Sequence, residues 1–471
     1  MRSIETRTAI ALFTVLIVSA LIVLPTTDAS AAPFRTASNP NPHVSSYVGT
    51  AGTEVLNVNS DNCASCHRAH TAKNEMLLTT SGSQSDLCFT CHDGTGATTD
   101  VKSEFVSGPQ NDPATASYYR HDATAVTNHT LAVDNEFGGV LNRHSECTDC
   151  HNPHAAANTD ATVPAAGVAW PTSGRLAAIS GVTVDNSTTP ATYTFASGVG
   201  TTLTFEYQLC LKCHSNFTVL PANTSGKPSR DLLDAGAEFD PANAAYHPVE
   251  AAGKNQTTAM ANSLSGSSPY KLWSFGTTAT VRCTSCHADA LFGAGSPTPN
   301  AVLPPHTSLY RGILLQNYED RTLLTATAPY DSSNFALCFL CHTDSPFKNE
   351  TAGNSATNFL QGTNDLHYLH TSNINGIGDP AMGSTIDDMS AGSGNALCAE
   401  CHFRPHSTKF PGNNQASNSR LVAFGPNVTG NDTAAPTWTV DTQAGTVTCD
   451  LTCHGHQHSA ANGDSYTWVG Q

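Results

Sequence analysis

Residues 63–92 hold two copies of one short unit: Cys63-Ala64-Ser65-Cys66-His67, trailed by Arg68-Ala69-His70, and Leu87-Cys88-Phe89-Thr90-Cys91-His92. In each, two cysteines stand three positions apart and a histidine follows the second. The unit returns at Cys147 and Cys150 with His151, Cys210 and Cys213 with His214, and Cys283 and Cys286 with His287. It returns again at Cys338 and Cys341 with His342, and at Cys398 and Cys401 with His402. A last copy, Cys449 and Cys453 with His454, has three residues between its cysteines. The eight units use all 16 cysteines, and histidine is only 21 of 471 residues. Eight independent pairs would all be trailed by histidine with a chance on the order of 1 in 10^11, and the spacing is the one that attaches haem.

Two thiols a helical turn apart can each add to a vinyl group of one porphyrin, and the adjacent histidine then swings under the ring to bind iron. Disulfides and zinc are the competing uses of paired cysteines, but neither requires a histidine after every pair. The expected cofactor is therefore eight covalently attached haem c groups, with the extra residue of the last unit bulging from its loop.

His67, His92, His151, His214, His287, His342, His402 and His454 take one face of each iron. Thirteen histidines remain against four methionines after the N-terminal leader (Met76, Met260, Met382 and Met389), so histidine can fill every second face and methionine cannot. Ligation by two histidines is the expectation, and it implies low potentials. Leucine precedes the first cysteine in one class of unit (Leu87, Leu209, Leu337, Leu397). The others alternate with these, giving pairs at 63–92, 147–214 and 283–342 and a less regular fourth at 398–454. About thirty residues beyond each regular pair stand His121, His247 and His370, each close behind a tyrosine. A histidine trails the leading units as His70, His154 and His406, with His306 a displaced counterpart. With His43 these complete the expected second set. His144 and His367 are close substitutes, and His129, His456 and His458 read as solvated, with one of the last two able to serve the C-terminal iron.

Residues 1–31 read as a signal peptide: Arg2 and Arg7, an apolar run from Ala9 to Leu24, then small residues at Ala29-Ser30-Ala31. No later stretch approaches a membrane span, so the mature unit, residues 32–471, is expected to be exported as a single domain without a membrane span. Charged residues are 13%, about half the usual share. With 38 acidic against 21 basic residues and a formal charge of −17, nucleic acid and anionic membranes are poor partners, whereas cations, minerals and basic proteins are suitable ones.

CASCHRAH with LCFTCH, CTDCHNPH with LCLKCH, and CTSCH with LCFLCH resemble the doubled-CxxCH multihaem c-type cytochromes, over roughly residues 43–458. Within that family the chain looks most like the secreted cytochromes of metal-reducing bacteria, some of which polymerise into haem-wired filaments. The resemblance implies an electron carrier, not an enzyme, that works with redox partner proteins and an extracellular acceptor. In a filament, His43 on its Asn-Pro-Asn-Pro arm would complete an iron of a neighbouring copy. The alternative is an octahaem oxidoreductase of nitrogen or sulfur compounds with one open iron. The expected fold is mostly irregular, with short helices at the units, a few small β-hairpins, and the haems as core. Gly181–Tyr207 and Thr437–Thr448 alternate like strands, the latter turning at Gln443–Gly445, and Ser308–Thr325 has the best helical periodicity.

Overall fold

The computed structural model describes His43, a hairpin at 47–56 and, apart from short gaps, residues 66–107, 118–123, 145–218, 233–289, 303–318, 331–347, 357–372, 396–409 and 415–468. The leader expected at 1–31, and Cys63, His129, His144 and His454, lie outside the described residues. Most of the chain is coil, as composition implies. The helices are α1 Gln84–Phe89, α2 Val101–Ser107, α3 Cys147–Cys150, α4 Tyr207–Cys210, α5 Ala235–Glu238, α6 Thr258–Ser265, α7 Ala336–Phe339, α8 Leu366–Ser372 and α9 Cys398–Cys401. None reaches the length at which a helix is stable by itself in water. Tertiary contact must hold them.

The strands are β1 Tyr47–Thr50, β2 Thr53–Leu56, β3 Tyr119–Arg120, β4 Gly181–Asp185, β5 Thr192–Ala196, β6 Thr307–Ser308, β7 Phe359–Gln361, β8 Asn364–Asp365, β9 Val428–Thr429, β10 Thr437–Asp441, β11 Thr446–Cys453, β12 His456–His458 and β13 Ser465–Trp468. The alternation at 181–207 forms the β4–β5 hairpin, register Gly181 to Ala196 through Asp185 to Thr192. The alternation at 437–448 forms β10 and the start of β11, whose connecting turn lies outside the described residues. This region is larger than a hairpin. β11 sits within a seven-stranded antiparallel sheet, pairing with β10, β13, β12 and β9.

The helix expected over 308–325 does not form in its described part, 308–318. Residues 307–308 form β6, and the chain then bends through Gly312 and Ile313, both at positive φ, to bridge Leu314 back to His287. A helix cannot pass through two consecutive left-handed residues.

Buried apolar side chains gather in several small clusters, most of them bordered by unit cysteines. Phe335, Phe339, Leu397 and Tyr318 pack against Cys338 and Cys398; Trp273, Leu303, Leu315 and Leu340 against Cys341; Leu176, Ile179 and Leu203 against Cys150. Val422, Phe424, Val428 and Leu451 pack against Cys401, Cys449 and Cys453.

Candidate haem sites

The two classes of unit differ in where the local helix begins. α1, α4 and α7 start ahead of Cys88, Cys210 and Cys338, so Leu87, Leu209 and Leu337 are helix residues, the last two turned onto apolar clusters. α3, α9 and the 3₁₀ turn Cys283–Ser285 start at the first cysteine, and the residue before the second cysteine caps them from within. Asp149 accepts from the backbone N–H of Glu146 (2.6 Å), Ser285 from that of Arg282 (3.1 Å) and Glu400 from that of Leu397 (3.3 Å). Despite Leu397, the unit at 398–402 therefore belongs to the leading class. In an extended strap that returns beneath three of the four leading units, a residue with positive φ (Leu77, Ile313 or Leu421) turns a carbonyl toward the unit histidine, whereas His151 Nδ1 of the fourth lies 3.1 Å from Arg175 O in the 3₁₀ turn Gly174–Leu176. His67 Nδ1 lies 3.1 Å from Met76 O, His287 Nδ1 2.7 Å from Gly312 O and His402 Nδ1 3.0 Å from Leu421 O. Two residues on, Thr79, Leu315 and Ala423 donate to the carbonyls of Cys66, Cys286 and Cys401 at 2.7–3.0 Å. The straps were not foreseen from sequence. Their signal is a short apolar run, Leu77-Leu78, Ile313-Leu314-Leu315 or Leu421-Val422-Ala423, following a leading unit.

An imidazole nitrogen binds such a metal at about 2 Å, and the ring centroid lies about 1.1 Å behind it, so two histidines on opposite faces of one iron have centroids roughly 6.2 Å apart. The structure repeats this spacing. His67 faces His154 at 6.1 Å, His92 faces His43 at 6.2 Å, His151 faces His306 at 6.3 Å, and His214 faces His121 at 6.2 Å. His287 faces His406 at 5.8 Å and His370 faces His458 at 6.1 Å. Among histidines, His247 acts most strongly on His342, and His402 on His367. The donor set thus fits iron porphyrin.

A backbone carbonyl can only accept, so each Nδ1 held by one carries the proton and leaves the Nε2 lone pair for metal. Three Pro-His dipeptides supply such carbonyls. Pro153 O receives His43 Nδ1 (3.0 Å), Pro305 O receives His121 Nδ1 (2.7 Å) and Pro405 O receives His247 Nδ1, while the adjoining His154, His306 and His406 face His67, His151 and His287. Each dipeptide therefore orients a histidine of one site and contributes its own ring to the other site of the same pair. Beyond the last pair no further Pro-His follows a unit. Its histidines come from one face of α8, with His367 Nδ1 on Thr357 Oγ1 (3.0 Å) and His370 Nδ1 on Leu366 O (2.6 Å). Burial pushes His151, His287 and His306 down to about 4, and His342 and His367 to about 3, so these rings stay neutral and able to ligate.

Neighbouring units touch in chain order. The Cys88 thiol is raised chiefly by its hydrogen bond with Cys147 and also feels Cys66, and Ser85 Oγ lies 3.4 Å from Cys147 Sγ. Cys150 feels Cys210 and Cys213, and Lys212 Nζ donates to Asp149 O (2.5 Å). Cys210 hydrogen-bonds Cys283, where Arg282 and Glu206 form a buried pair at 3.7 Å and Thr284 Oγ1 donates to Glu206 (2.8 Å). Cys286 and Cys341 interact, Cys338 packs with Cys398, and Cys401 with Cys449 and Cys453.

Two expectations need correction. The last unit has no bulge: Cys449 and Cys453 lie in β11, in continuous register with Trp438 and His456. Four residues of strand separate them by about 13 Å, against one turn elsewhere. His70 is exposed, and of the two histidines open to the C-terminal iron it is His458 that is set against His370.

Among the described residues no three of His, Cys, Asp or Glu converge to hold a bare metal ion, and no helix is long and apolar enough to cross a membrane. Neither a curated protein nor a solved structure matches the chain. The family model for the doubled CXXCH motif matches residues 57–97, the first two units. With that match, and the same spacing repeated along the sequence, the chain is a multihaem c-type cytochrome.

Proposed function

We infer that the protein is an exported octahaem cytochrome that conducts electrons through a line of eight low-spin irons, each held between two histidines, toward an acceptor outside the cell. The supporting observation is the succession of sites: each unit adjoins the next in sequence, from Cys66 to Cys453. Bound haem iron takes up and releases one electron at a time. The protein's part is to hold neighbouring rings close, to fill both faces of each iron, and to exclude substrate. The first three leading sites close forward in sequence (His67 with His154, His151 with His306, His287 with His406), and the fourth is set against a residue upstream, His402 with His367. The second sites close backward (His92 with His43, His214 with His121, His342 with His247). Adjacent pairs are thereby cross-braced, which favours a rigid conduit. Because His43 closes a site in its own chain, conduction needs no partner copy. Filament formation would need a different joint.

The experiment is the electronic spectrum of the secreted protein with and without nitrite or hydroxylamine. All irons low-spin and unchanged by either compound is the expected result. A high-spin fraction of about one iron that shifts on addition would instead establish the octahaem oxidoreductase reading.

A further inference from the structure

The three trailing histidines stand in different surroundings. His306 Nδ1 is 3.6 Å from the Glu104 carboxylate, too far for a hydrogen bond. His406 Nδ1 is 3.1 Å from Glu238 Oε2. Glu238 ends α5 and is 1% exposed, and Arg404, 7% exposed, grips it with Nε on Oε1 and Nη2 on Oε2 at 2.8 Å. Arg404 and His406 flank Pro405, whose carbonyl receives His247. One tripeptide therefore carries the guanidinium that grips Glu238, the carbonyl that orients one imidazole, and a second imidazole bonded to the carboxylate.

A carboxylate that accepts the Nδ1 proton of a metal-bound imidazole makes that imidazole a stronger donor, and a stronger donor favours ferric over ferrous iron. We propose that Glu238, locked by Arg404, is a positioning residue that sets the iron between His287 and His406 to a lower potential than the iron between His151 and His306. The inference rests on the axial pairing given under Proposed function. Its consequence is a step of higher energy near the middle of the line, across which electrons pass between the two halves of the chain.

The test is spectroelectrochemical titration of the full-length, haem-loaded protein, with the haem count checked by intact mass. Glu238→Gln should leave the haem count unchanged, and the reduction equilibrium of one haem should move at least tenfold toward the ferrous state, equivalent to 59 mV for one electron. The low-spin g-values of that haem should move with it. Because this variant also removes the negative charge opposite Arg404, the double variant Glu238→Gln, Arg404→Met restores the local charge balance. A shift that persists supports the hydrogen bond to His406 as the cause. A double variant that titrates like the parent overturns the proposal. Glu238→Asp should recover part of the parent value. His406→Met separates the proposal from the pairing beneath it. If it raises the potential of one haem while Glu238→Gln changes nothing, only the proposal falls. If it alters no haem, both fall.

Discussion

The units at Cys398–Cys401 and Cys449–Cys453 border the same apolar cluster, yet their backbones are opposite in kind. The first is one turn of helix, capped by its own Glu400, strapped through Leu421 to His402 and dependent on its neighbours for everything else. The second is the middle of a sheet, with β10 on one side and β9, β12 and β13 supplying further ladders. A helix of four residues has almost no intrinsic stability, so a helical unit is held by a few long-range contacts and the haem it binds. A strand in a ladder is held by many small terms. The helical sites should therefore fail one contact at a time, and the strand site should resist local damage while being sensitive at its ligands.

The largest expected effect lies at the strand site. His370→Phe removes one partner of the His370–His458 pair and should convert one iron to high-spin while leaving the denaturation midpoint nearly unmoved; an unchanged spectrum would remove His370 from the ligand set. Next in size is a helical junction. Arg282→Met leaves Glu206 buried and uncompensated between the units at 210 and 283, and should cost about 3–5 kcal/mol in urea denaturation. Burial already raises the Glu206 carboxyl against the opposing pull of Arg282, so loss of the arginine should push it higher still. A smaller loss is expected from Glu400→Ala, which removes the internal cap of α9 and should cost about 1 kcal/mol. A loss below a tenth of that would mean the strap alone sets this turn.

The remaining effect is a pH slope. Burial, then Asp240, raises the Glu250 carboxyl to about 8 from its ordinary 4.5. Between those values the folded chain binds more protons than the unfolded one, so stability should fall as pH rises from about 5 to 8. Glu250→Gln should flatten that slope, and an identical slope in the variant would assign it to other groups.

Haem chemistry and the helical turns were legible from sequence because Cys-x-x-Cys-His is local, and so was the β4–β5 hairpin, whose alternation spans sixteen residues. The pairing of the histidine rings was only half legible. His154, His306 and His406 could be picked as a class from their position downstream of a leading unit, but their targets could not, since His306 reaches His151 and His121 reaches Pro305 across 184 residues. Leu397 misled because its class was judged by one apolar residue, whereas the start of the helix decides it. The end of β11, residues 449–453, was misread because a motif known from helical turns outweighed the strand that Thr446, Val447 and Thr448 begin. The carboxylate at His406 is invisible in sequence for the same reason as the pairings: Glu238 and His406 are 168 residues apart.

The central claim, a line of irons in chain order with each pair closed by its neighbours, is tested most directly by electron cryomicroscopy of the haem-loaded secreted protein. The account predicts eight irons following the cysteine units in sequence, with His154, His306 and His406 on the irons of His67, His151 and His287. Irons that depart from that order, or leading irons completed by other residues, would contradict it.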